Sequence, residues 1–335
     1  GLAQALAGAH EASSFGNPDD TPAFSPLATA PLAELDQPIQ PAESILDLLT
    51  TLKQAEQELL DRHPAIGTVP YNGLAQRHSQ RLYLNSEGAC RHQEMSTASV
   101  YLYARAEETG RKPRSAGAMR LAYGAKDLDI TGCINEAAER TISHLDYAPI
   151  ATGHYPCVFS PEAFLDLIGA FSSLFNARSI LDGVSLSSKE SIGEQLACPF
   201  LSIHDNGLHP GNIGAAAFDG EGTPTQRLAL VEGGVIKNFL HSEATARAFG
   251  VAPTGHAGLG AKVSVGPDWF EIGPTPGAPG AQSGLDQNSH SGPLVVIDSL
   301  SALHAGVKAS QGAFSLPFDG WLIQNGERRS IEAAT

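Results

Sequence analysis

Hydrophobic side chains recur at three- and four-residue spacing in several stretches of this chain, which is the periodicity of an amphipathic helix. The clearest such stretch runs from Ala42 to Arg62, and a second runs from Asn135 to Leu145. A third helix is predicted after Ser160, because a serine cap followed by proline and glutamate is typical of a helix start. Its apolar continuation from Phe164 to Phe175 predicts a helix buried in the core.

Short runs of alternating, β-branched or aromatic residues predict strands between and after these helices. Trp321 to Glu327 predicts a hairpin around Asn325-Gly326, a dipeptide that suits a type I′ turn. The other predicted strands are Arg81 to Leu84, Ser99 to Ala104, Ala116 to Tyr123, Phe200 to Ile203, Lys262 to Val265, Trp269 to Ile272 and Leu294 to Ile297.

The stretch from Phe218 to Gly250 predicts a loop, a hairpin and a helix in succession. Leu228 and Leu230 alternate with their neighbours up to a Glu-Gly-Gly turn, which is a hairpin pattern. Ser242 is a good N-cap for the alanine-rich run that follows it. Gly250 can end that helix, because glycine readily adopts a positive φ.

Two stretches contain too few large apolar residues to form elements of their own. Ser13 to Pro41 predicts an ordered but irregular connector, and Gly273 to Pro293 predicts a flexible loop rich in Gly, Pro and Ser. The chain begins without Met, and Gly1 to Ala7 has the pattern of the end of an amphipathic helix. We therefore expect a further segment upstream of Gly1.

Composition narrows the classes of protein. The chain has 335 residues, 42% of them hydrophobic, which can supply the cores of one large or two ordinary domains. A formal charge of -15 and the lack of a basic run argue against nucleic-acid binding. No apolar run approaches the roughly 18 residues of a membrane span. Four widely separated cysteines are typical of reduced thiols, so a cytoplasmic location is expected; they are Cys90, Cys133, Cys157 and Cys198.

The loop from Asp219 to Arg227, Asp-Gly-Glu-Gly-Thr-Pro-Thr-Gln-Arg, resembles the Asp-Glu-Gly-x-Pro-Thr-Gln-Arg loop of the TldD/PmbA family. Members of this family were once called modulators of DNA gyrase and are now regarded as metallopeptidase subunits. Further passages that resemble the family are Thr152 to Ala163, Ile192 to Ala197, Leu303 to Val307 and Gly312 to Leu316.

The resemblance implies an α+β fold in which a partial N-terminal α/β region precedes a β-rich C-terminal domain built from hairpins and short helices. The expected boundaries are 1–150 and 151–335. In the loop, Asp219, Glu221, Thr225 and Arg227 are the residues expected to contact a substrate or a partner.

In the TldD branch a helical His-Glu-x-x-x-His motif binds zinc, and the glutamate polarises the attacking water. The motif would fall after Pro161, but Phe164 to Phe175 contains neither His nor Glu, and the only His-Glu pair is His10-Glu11. The resemblance is therefore to the PmbA/TldE-like branch. It implies a non-catalytic subunit without a cofactor of its own, which pairs with a zinc-bearing TldD-type protease subunit and acts on unfolded polypeptides.

Two alternatives remain open. The first is a hydrolase with its own metal site around His204, Asp205 and His209, although Asp and Asn at a strand-to-loop exit more often close turns. Cys90 and His92 could share a strand face, but two ligands are too few for a closed site. The second alternative is a homodimeric binding or scaffold protein with no protease partner.

Overall fold

A computed structural model describes residues 1–16, 23–260, 262–277, 292–331 and 334–335. Among these residues, the N-terminal half forms three α-helices and one antiparallel sheet. Helix α1 (Leu2–Ser13) has no buried residue. The other elements are α2 (Ile45–Leu60), β1 (Ile66–Leu84), β2 (Cys90–Ala106), β3 (Arg114–Ala122) and α3 (Ile130–Ser143).

Strands β1 and β2 form a long hairpin that pairs from Ile66 with Ala106 to Leu84 with Cys90. Its turn is held by Asn85, whose Oδ1 accepts the N–H groups of Glu87 and Ala89 at 3.0 Å each. Since soluble strands usually have about 3–10 residues, these strands of 19 and 17 residues are unusually long.

Helices α2 and α3 cover one face of this sheet and form the first core with it. Leu59 on α2, Val100 and Leu102 on β2, and Cys133 and Ile134 on α3 are at most 1% exposed. The two helices carry their apolar residues at the spacing that places them on one face. The periodicity in the sequence is therefore explained by this packing.

The C-terminal half contains two larger sheets. The first has the strand order β11-β6-β7-β8 and is antiparallel throughout. Its strands are β6 (Leu201–Asn206), β7 (Arg227–Glu232), β8 (Val235–Ile236) and β11 (Phe270–Pro274), and it packs beside α5 (Ala177–Leu181) and α6 (Glu243–Phe249). Phe175, Leu230 and Leu240 are central to its core.

The second sheet has the strand order β4-β16-β15-β12-β5, and both outer pairs are parallel. Its strands are β4 (Tyr147–Ala148), β5 (Cys157–Phe159), β12 (Leu294–Leu300), β15 (Phe318–Gln324) and β16 (Glu327–Ile331), with α4 (Pro161–Ala170) against it. The remaining elements are β9 (Ala257–Gly258), β10 (Ser264–Val265), α7 (Leu303–Gly306), β13 (Val307–Lys308) and β14 (Ala313–Phe314). The α+β class is confirmed.

The ends of two helices, and the burial of one of them, differ from the sequence-based expectation. Helix α3 begins at Ile130 because Asp129 caps it through Gly132 N. The predicted core helix from Phe164 to Phe175 is wrong in two respects, since α4 ends at Ala170 and only Ala163 within it is buried. Three residues of 3₁₀-helix follow, and the buried Phe175 belongs to the next core.

The ends of other elements match the prediction closely. Ser160 and Ser242 cap α4 and α6 through the N–H groups three residues later, and Gly250 ends α6 with φ 71°. Asn325 and Gly326 have φ values of 55° and 80°, as a type I′ turn requires.

Parts of the two predicted irregular stretches, 17–22 and 278–291, lie outside the described residues. Gly273 and Pro274, placed in the loop by the sequence, belong to β11. No helix in the described part of the chain is long and apolar enough to cross a membrane.

Candidate functional site

A cleft of about 910 Å³ lies between the β1–β2 hairpin and the loops around the four-stranded sheet. One wall is formed by side chains on a single face of the hairpin, including Arg77, Arg81 and Met95. The opposite wall is formed by Phe218 and Asp219, by the segment around His256, and by Ser264 to Asp268. Two segments distant in sequence therefore meet around one cavity.

The hairpin is attached to this wall by side chain to backbone hydrogen bonds. Arg81 Nη1 donates to the carbonyl of Phe218 at 2.8 Å, and its guanidinium lies 5.6 Å from the Phe218 ring centroid. Gln93, opposite Arg81 in the ladder, accepts Ala217 N–H at 2.9 Å and donates to Ala215 O at 3.0 Å. These contacts place the long hairpin over the loop that precedes β7.

Asp219 organises the loop by accepting three backbone hydrogen bonds. Its Oδ1 accepts Glu221 N–H at 2.8 Å and Thr223 N–H at 3.0 Å, and its Oδ2 accepts Ala257 N–H at 2.9 Å. Burial raises the pKa of Asp219 above its ordinary value, and these donors offset only part of that rise. The loop is thereby linked to the segment that carries His256.

Glu221 and Thr225 also have structural contacts. Glu221 Oε2 accepts the N–H of Glu243, the first residue of α6, at 2.7 Å, a favourable place for a carboxylate at a helix N-terminus. Burial raises the pKa of Glu221. Thr225 is buried and lines the cleft. Only Asp219 and Thr225 of the four loop residues predicted from the sequence line this cavity.

His256 and Asp205 meet at the base of the cleft. Both residues are buried, and His256 Nε2 lies 2.7 Å from Asp205 Oδ2. The direction of this contact is outside hydrogen-bond geometry, so the buried Nε2 has no hydrogen-bond partner among the described residues. The ring is oriented by its other nitrogen, because Nδ1 lies 2.8 Å from Thr254 Oγ1.

Asp268 completes a group of three possible metal ligands. One ligand atom from each of Asp205, His256 and Asp268 lies within 4.8 Å of the other two. Asp268 keeps solvent access through the cleft. Desolvation by the cleft walls nevertheless raises the pKa of Asp268 to about 6, and the nearby His256 opposes this rise to a smaller extent. The group combines two carboxylates and one imidazole.

Of the three metal ligands predicted from the sequence, Asp205 belongs to this group and His204 and His209 do not. Asp205 lies within β6, not at the loop exit expected from the sequence, and it accepts the N–H groups of Asp268 and Trp269. Since neighbouring residues of a strand face opposite sides, His204 points away from Asp205 and lies 3.8 Å from Glu232. His209 stacks on Trp269 at 5.4 Å. The structure does not bring His204, Asp205 and His209 together.

Arg227 and His204 belong to the opposite face of the sheet. Arg227 forms a bidentate pair with Glu271, with Nε to Oε2 and Nη2 to Oε1 distances of 2.9 and 3.1 Å. This pairing lowers the pKa of Glu271 to about 2. Desolvation and the nearby Arg227 lower the pKa of His204. Arg227 therefore has a structural partner on β11, which lies across β6 from its own strand.

Reasoning from the sequence missed His256 and Asp268, which belong to no motif with a recognisable spacing. His256 follows Gly255, whose φ of 81° is readily adopted only by glycine. A Cβ at that position would lie 2.4 Å from Pro224 O. This close approach of Gly255 to Pro224 is the one feature that could have drawn attention to the segment that carries His256. It is visible only in the tertiary structure.

The α+β fold and the cleft next to the Asp-Gly-Glu-Gly loop define the class of protein, and comparisons with known proteins agree. Residues 37–145 match the PmbA/TldA metallopeptidase central domain, and residues 152–335 match the PmbA/TldA metallopeptidase C-terminal domain. The chain belongs to the PmbA/TldD family.

Individual relatives are distant and longer. Metalloprotease PmbA of Escherichia coli O157:H7 is 25% identical over 206 residues, which is 61% of this chain and 45% of that protein. A metalloprotease of Methanocaldococcus jannaschii is 25% identical over 53% of this chain and 40% of its own length. The chain thus spans less than half the length of these curated relatives.

Solved structures show the same fold. A structure described as a modulator of DNA gyrase from Thermotoga maritima has a TM-score of 0.74 and 27% identity, and the match covers 90% of this chain and 70% of that one. TldE from Thermococcus kodakarensis has a TM-score of 0.78 at 19% identity, over 96% of this chain and 72% of that one.

The metal implied by the family's name does not fit helix α4. The helix offers two carboxylates one turn apart, Glu162 and Asp166, but no imidazole and no thiolate. Glu162 Oε2 is already paired with Arg140 Nη2 at 2.6 Å. Zinc sites are typically built from three or four His, Cys or carboxylate ligands. The donor set of α4 lacks the imidazole ligands that the His-Glu-x-x-x-His motif supplies.

Proposed function

We propose that this chain is a PmbA/TldE-like, non-catalytic subunit of a TldD/PmbA-type zinc metalloprotease complex that acts on unfolded polypeptides. The observation that carries the proposal is the donor set of α4, in a domain that matches the family model throughout. These 335 residues contain no His-Glu-x-x-x-His. The zinc and the metal-activated water would belong to a TldD-type partner.

The cleft supports a role in holding polypeptide. Its hairpin wall presents Arg77, Ser79, Met95 and Thr97, which combine a charge, hydroxyl groups and an adaptable apolar side chain. Arg77 is exposed and forms no hydrogen bond or ion pair with any residue the structure describes. A cleft lined by this arginine and by the carboxyl groups of Asp219 and Asp268 suits an extended chain that offers carbonyls and charged side chains.

Co-expression with a TldD-type protein that carries His-Glu-x-x-x-His tests the proposal. We expect the two chains to co-purify and to cleave a fluorogenic unfolded peptide only when both are present. Replacement of the partner's motif glutamate by glutamine should abolish cleavage and leave the complex intact, because that residue acts on the water and not on assembly.

A variant in this chain tests the role of the cleft. Arg77→Glu should raise KM of the complex several-fold with little change in kcat, because it removes binding that is equal in the ground and transition states. Arg178→Glu, at an exposed arginine outside the cleft, is the matched control. Peptide cleavage by this chain alone, or the absence of both complex and cleavage, would contradict the proposed function.

A further inference from the structure

We propose that Asp205, His256 and Asp268 form a binding site for one divalent transition-metal ion in this chain, with a free coordination position that faces the cleft. The site uses no residue of α4. The inference concerns residues of this chain alone, so it stands or fails independently of the proposed pairing with a TldD-type subunit.

The first step of the argument is the environment of His256 Nε2. A buried polar nitrogen without a hydrogen-bond partner destabilises the folded state, and Nε2 is such an atom in a residue that is only 3% exposed. It faces Asp205 Oδ2 at 2.7 Å without hydrogen-bond geometry. A cation coordinated by both atoms would satisfy them.

The second step is the tautomer. The Thr254 hydroxyl accepts the backbone N–H of His241 at 2.7 Å and donates its proton to the carbonyl of His241 at 3.2 Å. Its remaining lone pair can accept Nδ1–H of His256, at 2.8 Å. For the metal-bound chain we assign the proton to Nδ1, which leaves the lone pair of Nε2 for the ion. Metal-binding histidines are usually held in this way, with the second ring nitrogen donating to a protein oxygen.

The third step is the orientation of the carboxylates. Asp205 Oδ1 accepts Trp269 N–H at 2.6 Å, and Asp205 Oδ2 accepts Asp268 N–H at 2.9 Å. A carboxylate offers about four lone-pair positions, so Asp205 retains capacity for a cation while its backbone partners fix its direction. Asp268 is exposed to the cleft. The three ligand atoms lie within 4.8 Å of one another. Small side-chain rotations would let all three bind one ion with bonds of about 2.0–2.2 Å.

The chemistry of the ligands selects the ion and its use. One imidazole and two carboxylates suit Zn²⁺ and neighbouring transition metals better than Mg²⁺ or Ca²⁺, which prefer oxygen ligands alone. Three protein ligands leave at least one position open, as in zinc sites that bind a water or a substrate. Because Asp268 and His256 line the cleft, this position would take a carbonyl or carboxylate oxygen of a bound polypeptide.

The test is metal binding by the purified full chain, after treatment with a chelator and gel filtration. Isothermal titration with Zn²⁺ should give one equivalent per chain, and Asp268→Asn should weaken binding at least about 10-fold. The exposed position of Asp268 makes this variant the one best able to keep its fold, which circular dichroism checks. The control is His204→Ala, because His204 lies on β6 with Asp205 but on the opposite face of the strand. This variant should bind Zn²⁺ as the wild type does.

A spectroscopic arm tests the residue itself. In ¹⁵N NMR, Zn²⁺ should shift the Nε2 resonance of His256 and leave Nδ1 protonated in the metal-bound chain. Substoichiometric uptake, undiminished binding by Asp268→Asn, loss of binding by His204→Ala, or an Nε2 resonance that Zn²⁺ leaves unshifted would each overturn the proposal.

Discussion

At the scale of single residues, the site depends on a few positions that the backbone geometry restricts. Gly255 has a positive φ and packs against the Pro224 carbonyl and Thr225, and the next residue, His256, lies beside Asp205. Asp219 ties the same segment to the family loop through Ala257 N–H. Glycine and a buried carboxylate thus determine where a histidine from another part of the chain can lie.

Gly255→Ala should lower the free energy of unfolding by about 2–3 kcal/mol, because the new Cβ meets a backbone oxygen and a positive φ is strained for alanine. Gly266→Ala is the matched control, since its Cβ would meet nothing within 4 Å. That change should be neutral or stabilise by up to about 1 kcal/mol. Urea denaturation measures both, and equal stability of the two variants would contradict the role of Gly255.

The Arg227–Glu271 pair predicts a pH dependence. The folded-state pKa of Glu271 is lowered from 4.5 to about 2 by the Arg227 hydrogen bonds, so its contribution is present above about pH 4.5 and is lost as the pH falls towards 2. Both side chains are partly exposed, which limits the effect to about 1 kcal/mol. Glu271→Gln should therefore be less stable than the wild type at pH 7, with a difference that shrinks below pH 4.5.

Denaturation by urea at pH 7, 5 and 3 checks this expectation. Glu327→Gln serves as the control, because Glu327 is exposed and has no ion pair within the described ranges. If the stability difference between Glu271→Gln and the wild type stays constant from pH 7 to pH 3, the Arg227–Glu271 ion pair is not its cause.

At the scale of elements, the β1–β2 hairpin is the largest single contributor to the cleft wall. It extends well beyond the sheet that it shares with β3, which pairs with β2 only from Ala98 to Ala106. The end near its turn is held to the C-terminal half by Arg81 and Gln93. The width of the cleft therefore depends on these side chain to backbone contacts.

Arg81→Ala should loosen this end of the hairpin, because it removes a hydrogen bond and a cation–π contact that together are worth about 1–2 kcal/mol. Hydrogen exchange measured by mass spectrometry should show faster exchange around Arg81 and Gln93. Arg77→Ala, on the same strand face but without a partner among the described residues, should leave the exchange unchanged. Similar exchange in the two variants would mean that packing alone holds the hairpin.

At the scale of the whole molecule, two features matter most. The structure distributes its apolar residues over several separate cores, one under the N-terminal sheet and others around the two C-terminal sheets. The chain has a net charge of -15, which gives the molecule a negative electrostatic potential. The cleft lies where segments from different parts of the chain meet.

This charge predicts that the chain does not bind DNA directly, although a solved relative is described as a modulator of DNA gyrase. Fluorescence anisotropy with a labelled duplex at about 50 mM salt should give a Kd weaker than about 100 µM, because the phosphates are repelled. A lysozyme-sized basic protein provides the positive control. Tighter binding that weakens steeply with added salt would contradict the prediction.

The sequence alone determined the local elements and the family. The helices at Ile45–Leu60 and Glu243–Phe249, the turn at Asn325-Gly326 and the loop from Asp219 to Arg227 follow from short-range patterns, because periodicity, capping and turn chemistry act over a few residues. The long strands were predicted only in part, since pairing partners and not local propensity set where a strand ends.

Only the tertiary structure decided the site. Asp205 and Asp268 are 63 residues apart and His256 comes from a third segment, so no spacing in the sequence connects them. His204 and Asp205 are neighbours in sequence but face opposite sides of β6, because side chains alternate along a strand. The alternation of side chains along β6 therefore places His204 and Asp205 on different faces. The packing of β6 against the loops beside it brings Asp205, His256 and Asp268 together.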